Sequence, residues 1–275
     1  MAKCPYCGAE LENGVRFCTE CGAALPKSEP RRQNAPRTQQ AALVGNTGML
    51  LGQAARRARL EAVCSEDEIV PERIYNSVLL GVLLWGLLAN FLLCLFLSDR
   101  MLGINSALPV IGYVACAIAG TVIAGRSRKP LISFLGYNLV VVPFGLMLSA
   151  VVAQYGGIRT AIVTDAFLYT LFITAGMTGA AMAFPGLFAK LGGALLGTLI
   201  GLVVCELLLL IFRVGQNLTD WIAAGLFSLY IGYDVYRSQQ FAKTVDNAVD
   251  CALDIYLDIA NLFVRLLSIL GRKDD

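Results

Sequence analysis

The amino-acid sequence predicts an all-α membrane protein, in which a bundle of seven transmembrane helices follows a small cysteine-bearing N-terminal module. Three observations support this fold class. Of the 275 residues, 57% are hydrophobic and 15% are charged, whereas soluble domains carry about 25% charged residues. Seven apolar runs of bilayer length follow one another after residue 75. Four cysteines form two closely spaced pairs near the start of the chain.

The N-terminal module, residues 1–25, contains two Cys-x-x-Cys pairs separated by ten residues. A glycine follows each pair and permits a tight turn. Four thiolates brought together in this way bind Zn²⁺ tetrahedrally, and a module this small takes its folding energy from the metal. The sequence therefore predicts a structural zinc ribbon, similar to those at the start of many bacterial proteins; a cytoplasmic location disfavours a disulfide pair. The predicted ligands are Cys4, Cys7, Cys18 and Cys21.

The charge of this module favours a protein partner or a purely structural role. Residues 1–25 hold Lys3 and Arg16 against three glutamates, and a zinc–thiolate cluster adds further negative charge. A module that binds nucleic acid needs a basic surface. Nucleic acid is therefore not the expected partner.

Residues 26–72 are predicted to be a flexible basic linker. The stretch 26–47 is rich in proline, arginine, glutamine, asparagine and threonine, which is typical of a tether. Arginines close to the membrane gain about 1 kcal/mol each beside anionic lipid. Met49 to Ala62 is either a short interfacial helix or a solvated run of charges.

Residues 73–275 are predicted to form the membrane domain. A soluble helical bundle would need charged outer faces, and runs such as Val78 to Leu97 have none. The inner loops hold six basic residues and the outer loops three, while residues 1–75 add ten on the inner side. This asymmetry predicts a cytoplasmic N-terminus in a bacterial cytoplasmic membrane. The last run either spans the membrane or is re-entrant. The predicted spans are residues 76–97, 107–125, 131–153, 161–183, 187–212, 218–237 and 248–270.

Small residues recur at every fourth position in the fourth and fifth spans. Such spacing lets helix backbones approach closely in lipid. These faces are therefore predicted to be contacts between helices. The residues concerned are Ala175, Gly179 and Ala183 in the fourth span, and Gly193, Gly197 and Gly201 in the fifth.

Ionisable side chains inside the spans are candidate functional residues, because they are costly to place in lipid. The seventh span carries six polar residues at spacings of 3, 4, 4, 3 and 4. They fall within an arc of about 80° on a helix that is otherwise apolar. This polar stripe is predicted to face protein or a water-filled path. Its members are Asn247, Asp250, Asp254, Asp258, Asn261 and Arg265.

Two interpretations of the polar stripe stay open. It is either a packed polar seam, in which Glu206 or Asp165 neutralises Arg265, or the lining of a path for cations or protons. Its excess of carboxylates suits cations, and oxygen ligands suit Ca²⁺. The chain has no histidine, which excludes Ser-His-Asp and Cys-His catalysis and leaves carboxylates as the groups for a proton switch.

The last two spans resemble the Bax inhibitor family. The resemblance lies in Phe227 to Asp234 (FSLYIGYD) and Ala252 to Phe263 (ALDIYLDIANLF), and it extends more weakly over residues 73–270. It implies a seven-helix bundle around a central C-terminal helix, with a pH-sensitive calcium leak. It also implies that Asp234 and Asp258 are the two aspartates of the pH sensor. Asp254 stands where the family often has asparagine, so the identity of the two carboxylates that share a proton stays open.

The chemistry of such a pair agrees with this resemblance. Two carboxylates a few ångströms apart in a medium of low dielectric constant cannot both ionise at low cost, so they share a proton. Full ionisation pushes the two helices apart or recruits a cation. We therefore expect a pH-sensitive Ca²⁺ leak channel; the alternative is a non-conducting regulator whose zinc ribbon docks a protein such as a membrane protease. An enzyme is not expected, because intramembrane aspartyl proteases have glycine next to the second aspartate, where this chain has Ile259.

Overall fold

The computed structural model divides the chain into two units, residues 1–46 and 47–275. In the first unit, Ala2–Lys3 (β1) pairs antiparallel with Glu10–Leu11 (β2). The cysteines at positions 4, 7, 18 and 21 and the linker as far as residue 67 lie outside the described residues, so the ribbon and the interfacial helix stay predictions. The structure describes residues 2–3, 10–11, 68–100, 107–126, 129–212 and 217–272.

The described part of the second unit is helical. Seven of its helices contain 20 to 27 residues each. One further helix, of 4 residues, lies between the fourth and the fifth of these long helices. Ser98–Arg100 forms a short 3₁₀ turn after the first helix. In chain order the helices are Glu72–Leu97 (α1), Ala107–Arg126 (α2), Pro130–Gln154 (α3), Ala161–Ala183 (α4), Pro185–Phe188 (α5), Gly192–Phe212 (α6), Asn217–Ser238 (α7) and Val245–Gly271 (α8).

These bounds follow the predicted runs closely, with one difference. The fifth run was predicted from residue 187, whereas α6 begins at Gly192. Pro185 starts the separate short helix α5 instead, because proline is favoured in the first turn of a helix and cannot continue a preceding one. The other long helices begin and end within a few residues of the prediction.

Four of the described helices are long and apolar enough to cross a membrane: α1, α3, α4 and the part of α6 from Gly192 to Leu209. The apolar part of α2, Gly112–Ala124, is shorter. The acidic residues of the membrane domain are concentrated in α7 and α8. A helix surrounded by protein needs no apolar surface toward lipid, which explains why α8 can hold so many carboxylates.

The last helix, α8, is central in the second unit, as the resemblance implies. It packs against α1, α3, α4 and α7, while α2 packs on α3 and α6 packs on α7. Tyr256 of α8 is fully buried in an aromatic cluster with Tyr137 and Phe144 of α3. Asn90 of α1 donates a hydrogen bond to the Tyr256 hydroxyl. The core of the bundle therefore forms around the middle of α8.

The prediction that the small-residue stripes are helix contacts is wrong within the described residues. A Cβ atom added to Gly193, Gly197, Gly201 or Gly179 would meet no atom within 4 Å. Helix α6 instead buries Leu195 and Leu202, because burial of large apolar side chains determines which face turns toward α7. Close backbone contact occurs elsewhere, between α2 and α3. There, a Cβ atom at Gly136 would lie 2.7 Å from the Gly120 carbonyl oxygen.

Candidate functional site

Asp234 of α7 and Asp258 of α8 lie side by side inside the bundle. Asp258 is 8% exposed, and the Asp234 carboxyl group is within hydrogen-bonding reach of it. The Oδ2 atom of Asp258 receives no hydrogen bond from a donor in the described part of the chain. Ionised carboxylates only accept hydrogen bonds, so a direct contact between two of them requires a proton on one. This arrangement allows one proton to be shared between the two carboxyl groups.

The short connection between α7 and α8 brings these two residues together. Helix α7 ends at Ser238 and α8 begins at Val245, so the two helices run antiparallel as neighbours. Asp234 lies one turn before the end of α7. Asp258 lies more than three turns into α8. At that point α8 runs back alongside the last part of α7.

Two further aspartates of the polar stripe lie on α8 between its start and Asp258. Asp254 is half-buried and acts electrostatically on Asp258. Asp250 is fully buried. The structure thus brings a third carboxylate, Asp254, close to the predicted sensor pair. Asp254 is one of two positions at which the sequence departs from the pattern of the family that it resembles; the other is the segment Tyr233 to Tyr236.

The two asparagines of the stripe bond to nearby backbone atoms. The Asn261 side chain donates to the Leu257 carbonyl oxygen at 2.8 Å, within its own helix. The Asn247 side chain donates to the Ala242 carbonyl oxygen at 2.9 Å, and its backbone N–H donates to Oγ1 of Thr244, the N-cap of α8. Asn247 therefore stabilises the N-terminus of α8.

Arg265 at the other end of the stripe is bound by two carboxylates. Its Nη1 and Nη2 atoms each lie 2.8 Å from an oxygen of Glu206 on α6, and Nη1 lies 2.7 Å from Oδ1 of Asp220 on α7. Arg272 binds the second oxygen of Asp220. This end of the stripe is therefore a polar seam that joins α6, α7 and α8. We name these four residues the charge cluster.

One of the two predicted partners of Arg265 is present in the charge cluster. Glu206 binds it, whereas Asp165 is exposed on α4 and forms no ion pair with Arg265 among the described residues. Asp220 was not predicted as a partner, although it lies at the start of the predicted sixth span, residues 218–237. The signal that could have identified it is its place in the first turn of a helix, where a carboxylate is favoured.

Asp246 is a second buried carboxylate that was not predicted. It accepts a hydrogen bond of 2.5 Å from the Ser133 hydroxyl of α3. With Asp250, Asp254 and Asp258 it continues a regular spacing of four residues along α8. That spacing is visible in the sequence and is the signal that could have identified Asp246.

The acidic residues of α7 and α8 do not form a closed metal cage. Among the described residues, no group of three or more His, Cys, Asp or Glu side chains is arranged to hold a metal ion. The site thus offers two adjacent carboxyl groups that can share a proton, with a further carboxylate beside them. Any cation that approaches would be attracted by charge instead of entering a preformed cage.

Comparison with known proteins assigns a family. The family model described as "Inhibitor of apoptosis-promoting Bax1" matches residues 69–275, and a zinc-ribbon domain model matches residues 3–25. An uncharacterised membrane protein of Streptococcus pyogenes is 27% identical over 221 residues, which cover 74% of this chain and 92% of the relative. The protein LIFEGUARD 1 of Arabidopsis thaliana is 34% identical over 87 residues, 30% of this chain and 37% of the relative.

An uncharacterised protein of Campylobacter jejuni is 38% identical over 127 residues, 46% of this chain, and the match spans 53% of its length. The family model covers the whole helical unit from the segment before α1 onward. The central α8 and its aspartates lie within the matched residues. The chain therefore belongs to the Bax inhibitor family of integral membrane proteins.

Proposed function

We propose that the protein is a pH-sensitive cation leak channel in which Asp234 and Asp258 sense protons and Ca²⁺ is a permeant ion. The observation that supports this proposal is the contact between these two carboxyl groups, which joins α7 to the central helix; Asp258 is buried and Asp234 is half-buried. The seven long helices all cross the bacterial cytoplasmic membrane, with the N-terminus in the cytoplasm. Arg265 then lies toward the outer end of α8.

The proton shared by the pair holds α7 against α8. When it is lost, two negative charges face each other beside Asp254. Two unit charges 4 Å apart repel by about 4 kcal/mol at an effective dielectric constant of about 20. Either the helices separate or a cation enters between the carboxylates, and both responses change the path along α8.

The proposal is tested by measuring Ca²⁺ flux into liposomes that contain the full chain, over a range of pH. We expect flux that depends on pH and a loss of that dependence in the double variant Asp234→Asn with Asp258→Asn. Asp165→Asn is the matched control, because Asp165 is exposed on α4. A double variant whose pH profile equals that of the wild type would contradict the sensor.

The second candidate function is a non-conducting membrane regulator whose N-terminal module docks a protein partner. It is favoured by the zinc-ribbon match at residues 3–25, outside the helical unit. In both functions the four predicted cysteines hold structural zinc, and no enzymatic activity is involved. Affinity capture with and without residues 1–25 distinguishes the two: loss of every partner on deletion, with no flux from the intact protein, favours the regulator.

A further inference from the structure

The turn between α7 and α8, residues 239–244, is held by the segment that leads into α1. The Val70 backbone N–H donates to the Lys243 carbonyl oxygen at 2.8 Å, and Ile69 pairs with Thr244 in an antiparallel bridge. Thr244 is also the N-cap of α8. We name residues 69–76, which comprise the three residues before α1 and the first five residues of α1, the lead-in segment. It fixes the residue at which α8 begins.

Tyr75 of the lead-in segment contacts both helices that the turn connects. Its side chain is fully buried. Its hydroxyl oxygen lies 2.8 Å from the carbonyl oxygen of Ser238, the last residue of α7, and 3.4 Å from the Sγ atom of Cys251 on α8. The Tyr75 hydroxyl group therefore contacts both the end of α7 and the second turn of α8.

Lys243 ties the turn to the same tyrosine. Its Nζ atom lies 4.5 Å from the centre of the Tyr75 ring and donates to the Gln239 carbonyl oxygen at 3.0 Å. The Gln239 side chain in turn donates to the Asn76 side chain at 3.1 Å. Burial lowers the pKa of Lys243, and the nearby Glu72 carboxylate acts in the opposite direction. The ammonium group is thus held between the turn and the start of α1.

The register of α7 against α8 controls the contact between Asp234 and Asp258. A slip of one residue moves a helix by about 1.5 Å along its axis, whereas hydrogen bonds between oxygen atoms vary by only about 0.5 Å in length. Asp234 is one turn from Ser238, and Asp258 is two turns from Cys251. A group that fixes Ser238 relative to Cys251 therefore fixes the aspartate pair.

We propose that Tyr75 is a positioning residue for the Asp234–Asp258 pair, which it holds in register through the turn between α7 and α8. The effect on flux rests on the proposed function; the effect on the turn does not. Among the described residues, the charged groups that act on Asp258 are Asp234 of α7 and Asp254 of α8. Those around Tyr75 are Lys243 and, beyond it, Glu72, with the thiol of Cys251 on the other side.

The test compares Tyr75→Phe with Tyr137→Phe in the full chain. Tyr137 is also fully buried, and its hydroxyl donates to the Val82 carbonyl oxygen at 2.9 Å, away from the turn. Each variant loses one buried hydroxyl, so both lose stability. Two measurements are made in liposomes: amide hydrogen exchange of residues 238–250, and the pH midpoint of Ca²⁺ flux.

We expect Tyr75→Phe to accelerate exchange in the turn and to shift the flux midpoint by up to about one pH unit, which corresponds to one hydrogen bond of ordinary strength. Tyr137→Phe should do neither. Unchanged exchange in Tyr75→Phe, or equal effects of the two variants, would overturn the proposal. Gln239→Ala, a milder change at the exposed side of the turn, should shift both readouts in the same direction as Tyr75→Phe, and an opposite shift would also overturn it.

Failure of this proposal can be told apart from failure of the proposed function. If the wild-type protein shows no flux that depends on pH, the channel proposal fails, and hydrogen exchange alone decides the role of Tyr75. If wild-type flux depends on pH and Tyr75→Phe leaves both the midpoint and the exchange unchanged, the channel stands and the positioning role is wrong.

Discussion

At the scale of single residues, Arg265 shows how the bundle accommodates a cation in its central helix. Glu206 and Asp220 both bind it, and Asp220 also binds Arg272. Breaking a buried ion pair leaves an uncompensated charge, which costs far more than the pair contributes. Of the two carboxylates in the charge cluster, we therefore expect Asp220 to contribute more to the free energy of unfolding, because its side chain binds two arginines.

Asp220→Asn should destabilise the protein by about 3 kcal/mol, since it leaves two guanidinium groups short of one negative charge. Glu206→Gln should cost less, because Arg265 keeps Asp220. The measurement is thermal unfolding in detergent. Asp165→Asn serves as the control and should have little effect. A larger loss of stability in Glu206→Gln than in Asp220→Asn would contradict the prediction.

The hydrogen bond from Ser133 to Asp246 gives a second prediction at this scale. Ser133→Ala should lower the free energy of unfolding by about 2 kcal/mol, because a buried carboxylate loses a donor on a neighbouring helix. Ser228→Ala is the matched control, since the Ser228 hydroxyl bonds only to a carbonyl oxygen one turn earlier in its own helix. Equal losses in the two variants would mean that the bond between α3 and α8 contributes nothing.

At the scale of helices, glycines in different helices have different surroundings. Gly136 lies against the backbone of α2, whereas Gly197 of α6 faces open space. Helix α6 packs on α7 through its large side chains, so its glycines lie on the opposite face. Spacing alone therefore did not show which small residues are contacts.

Gly197→Ala should stabilise the protein by about 0.5 kcal/mol, because alanine restricts the unfolded chain and favours the helix. Gly136→Ala should destabilise it, since the added methyl group would press on the Gly120 carbonyl oxygen. Both are measured by thermal unfolding in lipid. A marked loss of stability from Gly197→Ala would show that another surface covers this face of α6 in the membrane.

At the scale of the whole molecule, the chain divides into a cysteine-bearing N-terminal unit and a helical unit, and the two are expected to serve separate chemistries. We expect thiolates to bind zinc in the first unit and carboxylates to hold protons in the second. The absence of histidine from the entire chain agrees with this division, because neither chemistry requires an imidazole.

Cys4→Ser with Cys18→Ser should remove about one zinc ion per chain, since each predicted pair loses a ligand. Zinc content is measured on the purified protein, alongside Ca²⁺ flux in liposomes. We expect the pH profile of flux to be retained. Cys205→Ser is the control for loss of a thiol outside the ribbon. Full zinc content in the double variant would exclude these cysteines as the ligands.

The positions of the long helices and the polar stripe of α8 could be predicted from the sequence alone. Apolar periodicity and the spacing of polar residues are local properties of a helix, so they can be read before the chain folds. Asp234 and Asp258 were identified by resemblance, and their contact follows from one short turn between neighbouring helices.

The groups that lie opposite these residues could not be predicted in this way, because they depend on the tertiary fold. It selected Glu206 and Asp220 over Asp165 for Arg265, turned the glycine stripe of α6 outward, and placed Tyr75 against the turn between α7 and α8. Such pairings join residues far apart in the chain. They depend on how all the helices pack around α8, because the burial of large side chains sets the rotation of each helix and so determines which polar groups meet.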